Sequence, residues 1–441
     1  MKKHGNFFHL LGSYLSLLSG LLLSTYAAPP SATASGFAIY THGAAELGMQ
    51  NLVVAHTEGP ASNYFNPALL AELEGIQIAL GTTIIWPSRE FKSAQTGQTE
   101  KTESQAFYPS TLFVSYPVSE SITAGLGIVS PFGLGTDWGK TWEGRYITTN
   151  VQMDTFNINP NMTVKLTDKL AVSGGLDCML GDATLENNVN TSLLATTPLS
   201  FSVTLPDGEQ QFEGHGEGYG YNLGIVFQPT EDWAVGASYR SEIRLKLYGK
   251  AKFRLPQTGD PVLDTALQTY LPNADGDTTI ELPPQLFVGA CYTGFDKVTL
   301  EIGGRWEGWS SYDHLTLHFD QPVAESRTSK EKKHWKDVYS AGIGVKYQVN
   351  DTWAVLAGYY YEENPVPDDT FEPAIPSADK HDVSFGVKKT IGNFTAAVSY
   401  LYENYERRSK NNAVGETSGA TANGTYHLEV HAIAASVSYR F

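Results

Sequence analysis

The last fifteen residues, 427–441, read HLEVHAIAASVSYRF, and their alternation decides the fold. Counting back from Phe441, Tyr439, Val437, Ala435 and Ile433 fall on one face, while Arg440, Ser438, Ser436 and Ala434 fall on the other. Successive side chains of a strand point to opposite sides, so a period of two predicts a strand with one greasy face.

The same split recurs over most of the chain. In DWAVGASYRSEIRLKLYG, 232–249, the odd positions from Trp233 to Leu247 are largely apolar, while the even ones include Arg240, Glu242, Arg244 and Lys246. In VTLEIGGRWE, 298–307, Val298, Leu300, Ile302 and Trp306 oppose Glu301, Arg305 and Glu307. This phase predicts that Arg240, Arg244, Glu301 and Arg305 point to one interior, where pairing with the neighbouring acids is the expected way to hold buried charge.

Short turns alternate with long polar loops, and counting the runs between them gives about fourteen strands, an even number that returns the last strand to the first. A soluble sandwich also alternates. Strands of about ten residues, aromatics at strand ends (Trp233, Trp306, Trp353, Phe394, Tyr400, Tyr402) and turns that are tight on one side favour an all-β, antiparallel transmembrane barrel. Closure lets every backbone group find a partner in lipid. A terminal strand ending on phenylalanine is what the barrel-assembly machinery of an outer membrane reads, which gives Phe441 a reason.

Composition agrees. The chain of 441 residues has Gly 42, Tyr 24, Phe 20 and Trp 8, and its net charge of -17 argues against nucleic acid as a partner. Its mean hydropathy of -0.23 excludes a multi-helix membrane protein. Lys2, Lys3 and the Leu-rich run from Leu10 to Leu23 predict a signal peptide over residues 1–34. Ala32-Thr33-Ala34 makes Ser35 the expected first mature residue, with cleavage after Ala28 or an uncleaved anchor as alternatives. Cys178 and Cys291 are far apart, their phases place one outward and one inward, and whether they pair is left open.

Residues 35–74 show no period of two. They contain an Asn66-Pro67-Ala68 turn and a short Leu-rich segment, and pattern alone does not say whether they hang outside a barrel or plug it. No nucleophile elbow, Walker loop or paired cysteine cluster is read. NADGDT, 273–278, lacks the spacing of a calcium loop, and His314 and His318 lie four apart on a strand rather than on a helix. The expectation is a non-enzyme without cofactor or metal.

SNYFNPALLAEL at 62–73, after SGF at 35–37 and LGMQ at 47–50, resembles the N-terminal hatch of the FadL/TodX family of outer-membrane transporters for hydrophobic compounds. SPFGLGTDWGKTWEGRY at 130–146, WEGWSSYDHLTLHF at 306–319 and HWKDVYSAGIGVKY at 334–347 resemble family segments in matching order. The resemblance implies a fourteen-stranded barrel over residues 75–441 with long extracellular loops, plugged by a hatch over 35–74. Phe65, Asn66, Pro67 and Ala68 would then line the hatch and ligand path. It also implies an inward kink of the third strand at Ser130, Pro131, Phe132 and Gly133, opening sideways to the membrane; that Pro131 merely begins a loop is the alternative.

An apolar capture groove among the outer loops is the third implication. Val262, Leu263, Leu267, Tyr270 and Leu271 stand at helical spacing and supply one apolar face, with 191–201 as partner; packing of loop on loop is the alternative. Family members that bind fatty acids hold the carboxylate with lumenal basic side chains. The strand after Lys169 offers Asp177, Asp182 and Glu186 instead, which favours a neutral hydrocarbon or aromatic ligand over an acid.

The functional expectation is passive movement of a hydrophobic small molecule through the outer membrane of a diderm bacterium, by a monomer set in lipid and lipopolysaccharide, with hatch rearrangement and lateral release. A polar diffusion porin and a surface adhesin are the alternatives.

Overall fold

A computed structural model describes residues 36–441; the expected signal peptide and the cleavage before Ser35 lie outside the described residues. Fourteen strands form the wall of a closed antiparallel barrel. In chain order they are β1 (Gln77–Ser93), β2 (Ser110–Pro117), β3 (Ile122–Val129), β4 (Asn150–Thr167), β5 (Leu170–Val189), β6 (Gly208–Phe227) and β7 (Trp233–Arg240). They continue as β8 (Gln285–Phe295), β9 (Val298–Glu307), β10 (Val338–Gln348), β11 (Trp353–Glu362), β12 (Lys380–Ile391), β13 (Phe394–Tyr405) and β14 (Gly424–Arg440). Closure is made by β14 on β1, in register from Gln77 opposite Arg440 to Ser93 opposite Gly424. No helix among the described residues is long and apolar enough to cross a membrane.

The greasy face of β14 points out: Ile433, Val437 and Tyr439 are exposed to the surroundings of the barrel. Its other face points in, and Leu428, Val430, Ala432 and Ala434 are buried. Such an outward apolar belt is stable in lipid.

The wall continues at the long-loop end as strands Ile243–Arg254, Ala274–Leu282, His314–Val323 and Ser326–Lys332. The step from β7 into Ile243–Arg254 changes the inward phase. Asn222 faces Arg240 while Glu217 faces Lys246, so six steps on one strand match five on β6. This is a β-bulge, and the extra residue turns the following side chains over. Arg240 faces in, but beyond the bulge Leu245 and Leu247 are the buried residues, and Arg244 is on the outside with its side chain 72% exposed. The sequence expectation of a lumenal Arg244 is corrected on this ground.

Residues 37–70 fill the lumen and are almost wholly buried. They carry two short helices, Ala44–Gly48 and Ser62–Phe65, and a 3-10 helix, Pro67–Glu72. Ile39, Leu47 and Met49 of this inner segment share a core with Leu356 of β11, Leu401 and Tyr405 of β13 and Leu428 to Ala434 of β14. Apolar inward positions on those strands, out of place in a water-filled pore, are thereby covered.

Candidate functional site

Asn66 ties the inner segment to the wall. Its extended backbone is the conformation expected before proline, and it caps Pro67–Glu72, accepting from the Ala68 amide at 3.1 Å. Its Nδ2 donates to the Val54 carbonyl at 2.7 Å and to the Ile225 carbonyl of β6 at 3.0 Å. The Pro67 carbonyl accepts from Thr163 of β4 at 2.7 Å. Phe65 and Ala68 are fully buried beside them.

Arg240 makes the second tie. Its Nη1 donates to Asp177 at 2.8 Å, its Nε and Nη2 donate to the Tyr64 carbonyl at 3.1 and 2.9 Å, and the guanidinium lies 4.1 Å from the Tyr64 ring centroid. Asn157 and Asn222 donate to the same carboxylate, at 2.6 and 3.0 Å. Both charges are thus paired and hydrogen-bonded, the condition under which buried ions are tolerated.

Arg305 makes the third. It donates to Glu307 at 3.0 Å and to Glu362, and lies 3.6 Å from the centroid of the Tyr40 ring, whose hydroxyl donates to Glu307 at 2.7 Å. Glu301 accepts from the amides of Val54 and Ala55 at 2.7 and 3.0 Å and lies against His56. Glu58 of the inner segment receives Lys346 of β10 and, at 2.5 Å, Lys388 of β12. Lys380 sits among Glu362, Asp382 and Glu403 at 3.6, 2.9 and 2.9 Å. Tyr40, His56, Glu58, Glu362 and Lys380 were not singled out from sequence: the first three lie in the segment without a period, and the partners of Glu362 and Lys380 lie on other strands.

The ladder of the third strand is interrupted after Val129. Ladder pairing of β3 runs through Val129, and a new strand, Gly133–Asp137, resumes on β4. Between them the chain turns to the inner segment: Ile39 donates to the Pro131 carbonyl at 2.7 Å, Gly133 donates to the Phe37 carbonyl at 2.9 Å, and Ala38 bridges Phe132. Ser130, Phe132 and Gly133 are buried, so this is a wall break rather than the start of a surface loop. Phe37 itself stands in an aromatic box, with ring centroids 6.2 Å from Phe132, 4.7 Å from Trp309, 5.7 Å from Tyr312 and 5.6 Å from Trp335.

At the long-loop end, Pro261–Tyr270 is a helix capped by Asp260. Leu263 and Leu267 are buried with Ala195 of the helix Thr191–Thr196, flanked by Leu194, Leu199 and Phe201. Leu271 and Tyr270 join a neighbouring cluster with Val189 and Val323, and Val262 is exposed. The two loop segments pack on each other.

One lumenal cation stands apart from the rest. Arg89 of β1 is 2% exposed, on the inward row with Ile85 and Phe91 and opposite Leu428 of β14. Its Nε and Nη2 meet no hydrogen-bond partner, and no carboxylate pairs with it among the described residues. Sequence reasoning looked for a basic side chain on the strand after Lys169 and passed over this one.

The family model for outer membrane protein transport proteins, OMPP1/FadL/TodX, matches residues 25–441. The chain belongs to the OMPP1/FadL/TodX family. It is therefore an outer-membrane protein of a family of transport proteins. Among FadL/TodX relatives, the long-chain fatty acid transport protein of Salmonella typhi is 22% identical over 361 residues, covering 76% of this chain and 80% of that one. Two solved structures share the fold. A Pseudomonas aeruginosa FadL homologue superposes with a TM-score of 0.83 at 18% identity, covering 92% of this chain and 100% of that one. The P. putida toluene transporter TodX gives 0.71 at 18%, covering 93% and 99%.

Proposed function

We propose that this FadL/TodX protein passively transports hydrophobic small molecules that carry an acidic head group, long-chain carboxylates being the type. Arg89 carries the reading. A buried guanidinium without a counter-charge is costly, whereas Arg240, Arg305, Lys346, Lys380 and Lys388 all face carboxylates. Its surroundings, Ile85, Phe91 and Leu428, suit an alkyl chain, and a carboxylate would supply the missing partner. The name of the Salmonella relative points the same way. A neutral aromatic ligand is the second reading, favoured by the aromatic box around Phe37 and by the fold shared with the toluene transporter TodX.

In this reading residues 35–74 are the hatch and residues 75–441 the barrel, working as a monomer in lipid and lipopolysaccharide after insertion by the assembly machinery. The ligand is taken up at the outer loops, by way of the apolar helix Pro261–Tyr270, and passes the hatch to a side opening at the β3 break. Because Phe37, Ala38 and Ile39 bond directly to residues 131–133, movement of the hatch and of the break is mechanically coupled. A polar porin would need an open lumen, and the buried inner segment opposes that.

Lipid extraction and native mass spectrometry of the purified protein identify any retained ligand. Binding of a labelled long-chain fatty acid to wild type and to Arg89→Leu then tests the head-group site. A charge-assisted hydrogen bond is worth about 1.5–3 kcal/mol, so the variant is expected to bind the acid about ten- to a hundredfold more weakly, with toluene binding unchanged. Equal fatty acid affinity in both proteins refutes the acid reading and leaves the neutral one.

A further inference from the structure

His56 of the inner segment, Cys291 of β8 and Glu301 of β9 bring a ring nitrogen, a sulfur and a carboxylate oxygen within 4.8 Å of one another. All three are buried, and Cys291 is a free thiol. Imidazole, thiolate and carboxylate together form a donor set suited to zinc and related borderline cations.

The surroundings orient these donors. Glu301 Oε1 accepts from the Val54 and Ala55 amides, which fixes the carboxylate and leaves Oε2 against His56 Nδ1. On the far side of the ring, His56 Nε2 lies 3.2 Å from Glu58 Oε1, and Glu58 is held by Lys346 and Lys388. A carboxylate on the second ring nitrogen sets the tautomer and aims the first at a metal.

We propose that a zinc-class divalent cation binds between His56 Nδ1, Cys291 Sγ and Glu301 Oε2. Binding displaces the thiol proton and the proton shared by His56 and Glu301, so two charges enter as two leave and the paired lysines meet no added charge. The side chains of Lys346 and Lys388, which hold Glu58, are 19% and 18% exposed. One ligand comes from the inner segment and two come from the wall, so the ion staples the segment in its seat. The consequence for transport, slower passage in the loaded protein, rests on the hatch reading above.

A second group, Asp313, His314 and His334, also gathers within 4.8 Å, but it is at the surface and offers no sulfur. This difference makes the test specific. Cobalt(II) is titrated into the detergent-purified full-length protein, and absorption is followed. The expected result is a thiolate-to-cobalt charge-transfer band that saturates at one equivalent, is displaced by zinc, is lost in Cys291→Ser and His56→Gln, and persists in His314→Gln. A wild-type titration without a thiolate band overturns the proposal, as does a band that survives Cys291→Ser. Uptake is measured separately with and without zinc. If the band follows the expected pattern but zinc leaves uptake unchanged in wild type, the metal site stands and the hatch reading fails.

Discussion

Replacing Asn66 by alanine separates a seated plug from a folding element. The side chain has no solvent exposure and makes three hydrogen bonds, to Val54 O at 2.7 Å, to Ile225 O at 3.0 Å and from Ala68 N at 3.1 Å. Each is worth about 0.5–1.5 kcal/mol net, and the carbonyls left behind are partly deprived of a donor. The loss is therefore about 2–4 kcal/mol, a factor of roughly thirty to a thousand in the seated-to-unseated ratio. The wall does not share this loss: its ladder on β6 uses backbone groups, and β14 still closes on β1 along its whole length. Amide hydrogen exchange across residues 37–73 is expected to speed up by that factor, while the wall strands keep their protection. Conductance in planar bilayers is expected to rise. Asn66→Asp keeps the cap to Ala68 but turns a carboxylate toward two carbonyls, and should be at least as disruptive. Unchanged exchange in the inner segment would refute the reasoning, and failure of the barrel to assemble would assign the residue to folding.

Arg240→Met leaves Asp177 buried without its cation and is expected to cost about 3–5 kcal/mol, read as early unfolding in a denaturant titration; adding Asp177→Asn should recover much of it. Phe37→Ala empties the aromatic box and removes part of the hold on the β3 break, so leak conductance should increase with the barrel intact. Burial raises the Glu46 carboxyl from 4.5 to about 7, with Glu58 adding to the rise and Lys388 opposing it. A carboxyl whose pKa is raised holds its proton more tightly when seated, so seating is firmest below about pH 4.5, weakens as pH rises to about 7, and is level above that. Exchange of the inner segment measured across this range should show the trend, and Glu46→Gln should abolish it.

The barrel was legible because lipid on one side and a packed lumen on the other impose a strict period of two on β1, β9, β13 and β14. Arg240, Glu301 and Arg305 could be placed inward by counting. Arg244 could not, because one extra residue after Arg240 reverses the phase, and a bulge leaves no mark in an alternating run. The inner segment has no period at all; its fold is set by contacts with wall residues hundreds of positions away, as in Tyr40 on Glu307 or Val54 on Glu301. The Pro131 break had a local cause in proline chemistry, but its partner, residues 37–39, had none. His56, Cys291 and Glu301 lie on three separate segments, so no spacing rule could have joined them.

The lumen shows how charge and specificity are divided. Arg240 and Arg305 are locked by carboxylates and carbonyls of fixed geometry, and each also lies over a tyrosine ring of the inner segment. Their charge is already met by buried carboxylates, so in the proposed reading they fasten the segment rather than select what passes. In the transport reading proposed above, selection falls to side chains whose demands the protein leaves unmet. Arg89 is one, with two buried nitrogens unsatisfied between apolar neighbours. A polar solute would leave those neighbours without a partner, and a plain hydrocarbon would leave the guanidinium without one. A molecule with an anionic head and an apolar tail answers both, and it does so without competing for any of the ion pairs that seat the inner segment.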